Sequence, residues 1–324
     1  MTQKEIAKKL NVTQTAVSLA LRGSTRISVE LREAVQQIAQ STGYQANLSG
    51  QMLRKKKCNI IGAFFPRLTN LFYAELFQEV HKKLAANGYM LYLASGETPD
   101  EQRKNVQILQ QMRVSGVIGM ASAWEILKPL KDEGIAMVLY GGDKRLDAGI
   151  SQVLPARYQG TEDLVKHLLS GGRKRIAFLA PASCCNESRY MAYKDVLQSA
   201  GLSPMPVFFE EEAGLNYMES GFCAMAEFLK NNRIDAVFVY NDELAIACKR
   251  AVVSAGFSVP GDIAVAGFDN ISTGAYLSPP LTTVEQPLQL IVDTLIEELF
   301  AALDDKDHCN FVSIPCKLIV REST

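Results

Sequence analysis

The fold of the N-terminal region is decided by residues 2–23, which read TQKEIAKKLNVTQTAVSLALRG. Thr2 and Glu5 match a capping box, in which each side chain satisfies a free backbone amide at the start of a helix. Asn11 tolerates the left-handed backbone conformation that ends a helix sharply. Thr13 can then cap a second helix, and Gly23 ends it. The pattern predicts two short helices joined by a three-residue turn.

A third helix completes a small core in this prediction. Ser28 caps it, the helix runs to about Thr42, and Gly43 terminates it. The apolar residues that fall on the inward faces of the three helices are Ile6, Ala7 and Leu10, then Ala16, Val17, Ala20 and Leu21, then Leu31, Val35, Ile38 and Ala39. The order and lengths of these helices predict a helix-turn-helix, in which the second helix enters the major groove of DNA.

The charge of the chain supports this interpretation. Met1–Lys57 holds ten basic and three acidic residues, a net charge of +7. The whole chain carries −1, so Cys58–Thr324 carries −8. A basic head on an acidic body is typical of a nucleic-acid-binding module fused to a second domain, because phosphates attract basic residues whatever the base sequence. The alternative is a three-helix interaction domain with an ordinary solvated basic face, and the charge division favours the DNA-binding interpretation over it.

Two groups of residues are predicted to contact DNA. The first faces base edges, where glutamine can pair with adenine and an apolar side chain can touch a thymine methyl; it comprises Gln14, Thr15, Ser18 and Leu19. The second suits phosphates, which position a protein without reading sequence; it comprises Arg22, Arg26, Ser28 and Tyr44.

From Asn59 onward, short apolar runs alternate with helical patterns. The first set of predicted buried strands is Ile60–Phe65, Met90–Ala94, Gly116–Met120 and Ala136–Tyr140. The second set is Ile176–Ala180, Val207–Phe209, Ala236–Tyr240 and Ile263–Phe268, and a last strand pattern covers Phe311–Val320. The alternation predicts two doubly wound parallel α/β lobes in succession. Ligands bind such sheets beyond the carboxyl ends of the strands, so two lobes predict a cleft between them.

Composition argues against several other classes of protein. No apolar run reaches 18 residues and no apolar leader opens the chain, so we expect no membrane span and a cytoplasmic location. The seven cysteines form no C-x-x-C pair, and we expect neither a disulfide framework nor a metal site. Phosphate loops, G-x-G-x-x-G fingerprints and G-x-S-x-G elbows do not occur in the sequence. We therefore expect no catalytic residues and no cofactor.

The head resembles that of the lactose/galactose repressor family. The resemblance rests on Ile6-Ala7, residues 12–18 (VTQTAVS), Leu21-Arg22-Gly23, Ser28, Arg32 and Gly43-Tyr44. The family continues into a hinge that folds on DNA and wedges a leucine into the minor groove, and residues 46–53 (ANLSGQML) stand at the matching place. The resemblance thus implies DNA contacts at Asn47, Leu53 and Arg54. This chain departs from the family at Leu19, where many members have arginine, so its operator preference does not carry over. Asn11 replaces the usual glycine of the turn and is tolerated there, whereas Ala46 and Gly50 replace the proline and alanine of the hinge and make it harder to order.

The body resembles the same family and the related periplasmic sugar-binding proteins. The matching motifs are residues 70–73 (NLFY), 189–193 (RYMAY), 241–245 (NDELA), 259–263 (VPGDI), 267–269 (GFD) and 279–284 (PPLTTV). The resemblance implies an effector cleft lined by Asn70, Phe72, Tyr73, Arg189, Asn241 and Asp269. For Phe72 and Tyr73 a place in the core is an equal alternative. Such side chains suit a small polyhydroxylated ligand.

The body also departs from the family. Sugar-binding members usually have Asp where this chain has Gly141 or Gly142 and where it has Ala156, so the ligand need not be a simple hexose. Cys184 and Cys185 either line the pocket or pack beneath a loop.

These patterns predict three regions: a DNA-binding domain at 1–45, a hinge at 46–57 and an effector and dimerisation domain at 58–324. Lobe 1 is expected at about 58–156 and 286–309, and lobe 2 at about 157–285 and 310–324. The predicted function is a ligand-responsive transcriptional regulator, a repressor that binds a near-palindromic double-stranded operator as a homodimer. Its effector is expected to be a small metabolite, a sugar or a sugar-like compound. The alternatives are a solute-binding protein without DNA activity and an α/β enzyme with a regulatory head.

Overall fold

The structure is a computed structural model that describes residues 1–21, 23–44, 58–65, 70–96, 98–146, 149–210 and 216–324. The chain divides into two compact units, Met1–Cys58 and Asn59–Thr324.

The first unit contains the three predicted helices, α1 (Gln3–Lys9), α2 (Gln14–Leu21) and α3 (Val29–Ser41). The capping box at α1 is confirmed, because Thr2 N donates to Glu5 Oε2 at 2.8 Å and Glu5 N donates to Thr2 Oγ1 at 3.3 Å. Asn11 has φ 52°, as its place in the turn predicts. The core of this unit is formed by Ile6, Ala7, Val17, Ala20 and Val35.

Lobe 1 of the second unit is built around one sheet. Its elements are β1 (Ile60–Phe64), α4 (Leu71–Ala86), β2 (Met90–Ala94), α5 (Pro99–Met112), β3 (Gly116–Met120), α6 (Trp124–Asp132), β4 (Ala136–Tyr140) and β5 (Ser151–Pro155), joined later in the chain by α11 (Leu288–Asp304) and β11 (Phe311–Ile314). The strand order is β11-β5-β4-β3-β1-β2, and all pairs are parallel.

Lobe 2 repeats this plan. Its elements are α7 (Arg157–Ser170), β6 (Ile176–Pro181), α8 (Ser188–Ser199), β7 (Met205–Phe209), α9 (Tyr217–Asn231), β8 (Ala236–Val239), α10 (Asp242–Ser254), β9 (Ala264–Asp269), β10 (Thr282–Glu285) and β12 (Lys317–Ile319). The strand order is β12-β10-β9-β8-β6-β7, with only the β10–β12 pair antiparallel among these described strands. Short 3-10 turns at Ala121–Ala123, Ala182–Cys184 and Ser272–Tyr276 precede or follow strands in the two lobes.

The chain passes between the lobes at three places: after β5, after β10 and between β11 and β12. The last passage differs from the sequence prediction, which placed residues 310–324 in lobe 2. β11 pairs with β5 in lobe 1, from Phe311 opposite Gln152 to Ile314 opposite Pro155. The run at 311–320, which the sequence suggests is one strand, is therefore two strands, one in each sheet.

The predicted fold class is confirmed: a helical head is followed by two doubly wound α/β lobes. Each predicted strand is present within a few residues of its expected bounds, whereas β5 and β10 were not predicted as strands. In the described residues, no helix has both the length and the apolar character that a membrane crossing requires.

Candidate functional site

The candidate DNA-reading residues lie on α2, away from its buried face. Val17 and Ala20 are buried in the core of the first unit, and they hold α2 against α1 and α3. Thr15 is exposed, and Gln14, Ser18 and Leu19 are half-buried. The outer face of α2 therefore presents the polar and apolar groups that were predicted to face base edges.

The candidate phosphate contacts are distributed around the same unit. Arg26 and Ser28 are exposed, and Ser28 Oγ also accepts a hydrogen bond from Leu31 N at 3.3 Å, which caps α3. Tyr44 is half-buried and packs against the core of the head. The other predicted DNA contacts lie outside the described residues: Arg22, Asn47, Leu53 and Arg54.

The second unit has a cleft of about 220 Å³ between its lobes, at the carboxyl ends of the strands. Five of the six predicted effector residues line it: Asn70, Tyr73, Arg189, Asn241 and Asp269. Pockets for drug-sized ligands occupy roughly 300–1,000 Å³, so this cleft suits a smaller molecule.

Two of these residues are asparagines that cap helices. Asn70 Oδ1 accepts from Phe72 N at 2.8 Å at the start of α4, and Asn241 Oδ1 accepts from Leu244 N at 2.9 Å at the start of α10. The caps fix both side chains at the cleft wall, because the amide oxygens are held by the backbone. The amide nitrogens of both residues take no part in these capping bonds and are of a type that can donate to a ligand.

Arg189 is held by a network at the start of α8. Its guanidinium donates to Tyr240 O at 2.9 Å and to Glu187 Oε2 at 3.1 Å, and it lies 3.5 Å from the centroid of the Tyr240 ring. The Tyr240 hydroxyl in turn donates to Glu187 Oε2 at 2.9 Å. Burial alone would raise the pKa of Glu187, but the charges of Arg189 and Arg157 and the Tyr240 hydroxyl hold that pKa below its ordinary value.

Asp269 ends β9 in the left-handed region, with φ 114°. Burial raises the pKa of Asp269 to about 6, although the charge of Arg189, the amide of Gln286 and the charge of Arg157 favour the carboxylate. Gln286 Nε2 donates to Asp269 Oδ1 at 2.5 Å, and the Tyr140 hydroxyl donates to Gln286 Oε1 at 2.8 Å. This relay connects β4 of lobe 1 with β9 of lobe 2 through a residue on the second passage between the lobes.

Phe72, the sixth predicted effector residue, differs from the prediction. It is 3% exposed and lies in the core of lobe 1, with its ring 6.3 Å from that of Tyr140. The second position of α4 turns this side chain toward the sheet, while Tyr73 faces the cleft. Cys184 is buried, burial raises the pKa of its thiol to about 11, and neither it nor Cys185 is among the cleft residues.

Several cleft residues were not predicted: Arg157, Pro181, Ser183, Tyr217, Tyr240, Glu243 and Gln286. Tyr240 and Pro181 end predicted strands or follow them directly, so the rule for parallel sheets could have found them. Arg157 directly follows Ala156, a position already singled out as unusual. Gln286 follows β10, which was not predicted as a strand.

Two protein-family models match this chain, one in each of its two units. Residues 2–47 match the model described as bacterial regulatory proteins, lacI family, and residues 165–324 match the model of a periplasmic binding protein-like domain. A transcriptional repressor, PurR, from Aliivibrio fischeri is 30% identical over 320 residues, 95% of this chain and 93% of that protein. A probable transcriptional repressor, ExuR, from Bacillus subtilis is 28% identical over 316 residues, again 95% of this chain and 93% of that protein.

A solved structure of the lac repressor dimer, bound to operator and an anti-inducer, has the same fold. It is 22% identical, with a TM-score of 0.84, over 100% of this chain and 99% of that one.

A helix-turn-helix head joined to a two-lobed binding domain defines a ligand-responsive, DNA-binding transcriptional regulator of the repressor type. The chain belongs to the lacI family of bacterial regulatory proteins. These matches support a DNA-binding repressor over the alternative of a solute-binding protein without DNA activity.

Proposed function

We propose that this regulator represses transcription in the cytoplasm as a homodimer, with two heads bound to the half-sites of a near-palindromic operator. The outer face of α2 supplies the base-reading side chains, and Arg26 and Ser28 supply phosphate contacts. The lac repressor, whose structure is of a dimer on its operator, supports this arrangement by its common fold. Two-fold symmetry in such a dimer matches the symmetry of the operator.

The cleft between the lobes is the proposed effector site, with a regulatory and not a catalytic role. The observation that carries this proposal is the convergence of polar side chains from both lobes on one cavity: Asn70 and Tyr73 from lobe 1, and Arg189, Asn241 and Asp269 from lobe 2. Buried polar groups with free donors and acceptors match the hydroxyls of a polyhydroxylated metabolite. The ring of Tyr73 provides an apolar face for such a molecule.

The relay from Tyr140 through Gln286 to Asp269 gives the effector a route to both lobes. A ligand that accepts or donates at Asp269 changes a hydrogen bond that also holds lobe 1. A ligand shifts the equilibrium between two arrangements of the lobes only if it binds one arrangement more tightly than the other. The hydrogen bond between Gln286 and Asp269 is a place where such a difference in affinity arises.

The DNA-binding part of the proposal is tested by a salt series on random duplex DNA. The affinity of the full chain should fall steeply as salt rises, because phosphate contacts release counterions. A chain that lacks Met1–Lys57 should lose this dependence. An affinity that is independent of salt would contradict the proposal.

The effector part is tested with Asp269→Ala. This variant should bind the operator with unchanged affinity and should no longer respond to effector. A response equal to that of the wild type would mean that the assigned cleft is not the effector site.

A further inference from the structure

Arg157 occupies an unusual position at the cleft. It is the first residue of α7, directly after the first passage between the lobes, and it lines the cavity. Its side chain is largely buried, with only 8% of the residue exposed. Its Nε atom has no hydrogen-bond partner among the described residues, which is also true of Arg189 Nε. Its guanidinium has a neutral hydrogen-bond partner in the Tyr140 side chain.

The two cleft arginines differ in how their charges are balanced. Arg189 forms an ion pair with Glu187 at 3.1 Å and also donates to Tyr240 O. Arg157 forms no ion pair with any carboxylate in the described ranges. The groups that act most strongly on its charge are Arg189, which repels it, and the phenols of Tyr140, Tyr73 and Tyr240.

The acidic groups of the cleft do not cancel this charge. Asp269 lies near enough for Arg157 to favour its ionised form, but its Oδ1 is held by Gln286. Glu187 is already engaged by Arg189 and by the Tyr240 hydroxyl. Glu243 lies on the first turn of α10 and acts on Tyr217, and it is not among the charges that act most strongly on Arg157. The residue before Arg157 is Ala156, which offers no carboxylate.

A buried charge without a partner is costly, and proteins keep such charges where a ligand or partner compensates them. A guanidinium presents a planar fork of donors that fits the two oxygens of a carboxylate or of a phosphate. Arg157 is buried at the wall of a small cavity, its Nε is unsatisfied among the described residues, and unlike Arg189 it has no carboxylate partner among them.

We infer that the effector carries an acidic group, a carboxylate or a phosphate ester, which binds at Arg157 while its hydroxyls face Asp269 and Asn241. This inference rests on the proposed role of the cleft as the effector site and specifies the class of the effector. A sugar acid and a sugar phosphate share this chemistry.

The experiment measures binding to the full-length chain by calorimetry and thermal shift. The probes are gluconate, galacturonate and glucose 6-phosphate, with glucose and galactose as neutral counterparts and inorganic phosphate as the bare anion. An acidic probe should bind at least about 10-fold more tightly than its neutral counterpart, as expected for charge-assisted hydrogen bonds. Whether the sugar acids or the sugar phosphate bind more tightly distinguishes the two sources.

Arg157→Gln is the decisive variant, and Arg250→Gln is its control, because Arg250 is exposed on α10 and gives the same change in net charge. Arg157→Gln should weaken binding of the acidic probe about 10- to 100-fold, and it should leave the affinity for the neutral counterpart nearly unchanged. Arg250→Gln should alter neither.

The melting temperature without ligand provides an independent readout. Because Arg157→Gln removes a buried charge that has no carboxylate partner among the described residues, and the glutamine amide can still bind the Tyr140 hydroxyl, the ligand-free variant should melt no lower than the wild type. A clear drop in melting temperature would assign Arg157 a structural role and overturn the inference.

The remaining outcomes separate this inference from the proposed function. Neutral sugars that bind as tightly as the acids, or an acid affinity that Arg157→Gln leaves unchanged, overturn the inference and leave the cleft as the effector site. If no probe of either kind binds, both the inference and the proposed sugar-like effector are contradicted.

Discussion

The carboxylate of Asp242 occupies the space in which a side chain at Gly267 would have to lie. Asp242 is fully buried at the start of α10, where its oxygens accept from Thr283 Oγ1 at 2.6 Å and from Ile271 N at 3.0 Å. Burial raises the pKa of Asp242 well above its ordinary value, and the charge of Asp269 acts in the same direction. Gly267 is therefore required so that α10 can dock against β9 beneath the cleft.

We predict that Gly267→Ala destabilises the chain by about 1–3 kcal/mol, because the added methyl group must displace the buried carboxylate or the strand. Urea unfolding of the two proteins measures this difference. Gly171→Ala is the matched control, since its nearest neighbour would lie at 3.4 Å, an ordinary contact. A loss at Gly267 no larger than that at Gly171 would contradict the packing argument.

A second prediction concerns the pKa of Asp269, which burial raises from 3.8 to about 6. A carboxyl whose pKa is raised on folding contributes stability that is complete below pH 3.8 and is lost as the pH rises through about 6. Asp269→Asn cannot ionise. At pH 8 it should therefore be more stable than the wild type by about 1–3 kcal/mol, and near pH 3.5 the difference should vanish.

Unfolding in urea at the two pH values checks this prediction. If the difference in stability between Asp269→Asn and the wild type is the same at both pH values, Asp269 titrates near its ordinary pKa. The same variant should respond less to effector, because an amide replaces a carboxylate acceptor.

The third prediction concerns the ion pair between Glu187 and the buried Arg189. Glu187→Gln leaves the guanidinium without a carboxylate, and because Glu187 is partly exposed we expect a loss of about 1–3 kcal/mol at pH 7. The pKa of Glu187 is lowered, so the contribution of the pair is present above pH 4.5 and is lost as the pH falls. Glu227→Gln breaks an exposed pair with Lys230 and should cost no more than about 0.5 kcal/mol. Equal effects of the two substitutions would refute a special role for the buried pair.

A fourth prediction separates base reading from phosphate binding in the head. Gln14→Ala should weaken binding to the operator by about 1–3 kcal/mol and leave binding to random DNA unchanged. Arg26→Gln should weaken binding to both and lower the salt slope by about one. Titrations of operator and random duplexes at several salt concentrations measure both effects, and a uniform loss with Gln14→Ala would remove this residue from the base-reading set.

The sequence predicts the local features of the fold well where one residue type carries the signal. Asn11 shows this, since its tolerance of positive φ and its place after an apolar face predicted the turn in which it has φ 52°. Thr2 and Glu5 predicted the start of α1 for a similar reason: a capping box lies within four residues and needs no partner from elsewhere in the chain.

The strands that were not predicted depend on distant partners. β5 reads SQVLP, and its polar residues are buried because other segments bind them. Gln152 Nε2 donates to Gly141 O at 2.8 Å, and Ser151 Oγ accepts from Asn310 N at 3.1 Å. A pattern based on apolar runs does not detect such a strand, since its hydrogen bonds are non-local.

The residues of the candidate site also divide into those that a local motif predicts and those that depend on distant parts of the chain. Arg189 and Asp269 were predicted from motifs that stand in continuous stretches, and both line the cleft. Arg157 and Gln286 were not predicted, because they line the cleft from the passages between the lobes. The positions of these passages follow from the pairing of β5, β10 and β11. Phe72 lies beside Tyr73 in the sequence, and only the rotation of α4 decides which of the two rings is buried.

The passages between the lobes have a mechanical consequence. Covalent continuity fixes the lobes to each other at these segments, so any relative rotation must pivot there. Arg157 and Gln286 lie at two of these segments, so a molecule that binds both residues acts close to the axis of rotation. Because displacement grows with distance from the axis, a shift of a fraction of an ångström near the pivot becomes a larger movement at the outer rims of the lobes. We therefore expect a modest chemical difference between two metabolites, such as one acidic group, to select a different orientation of the lobes.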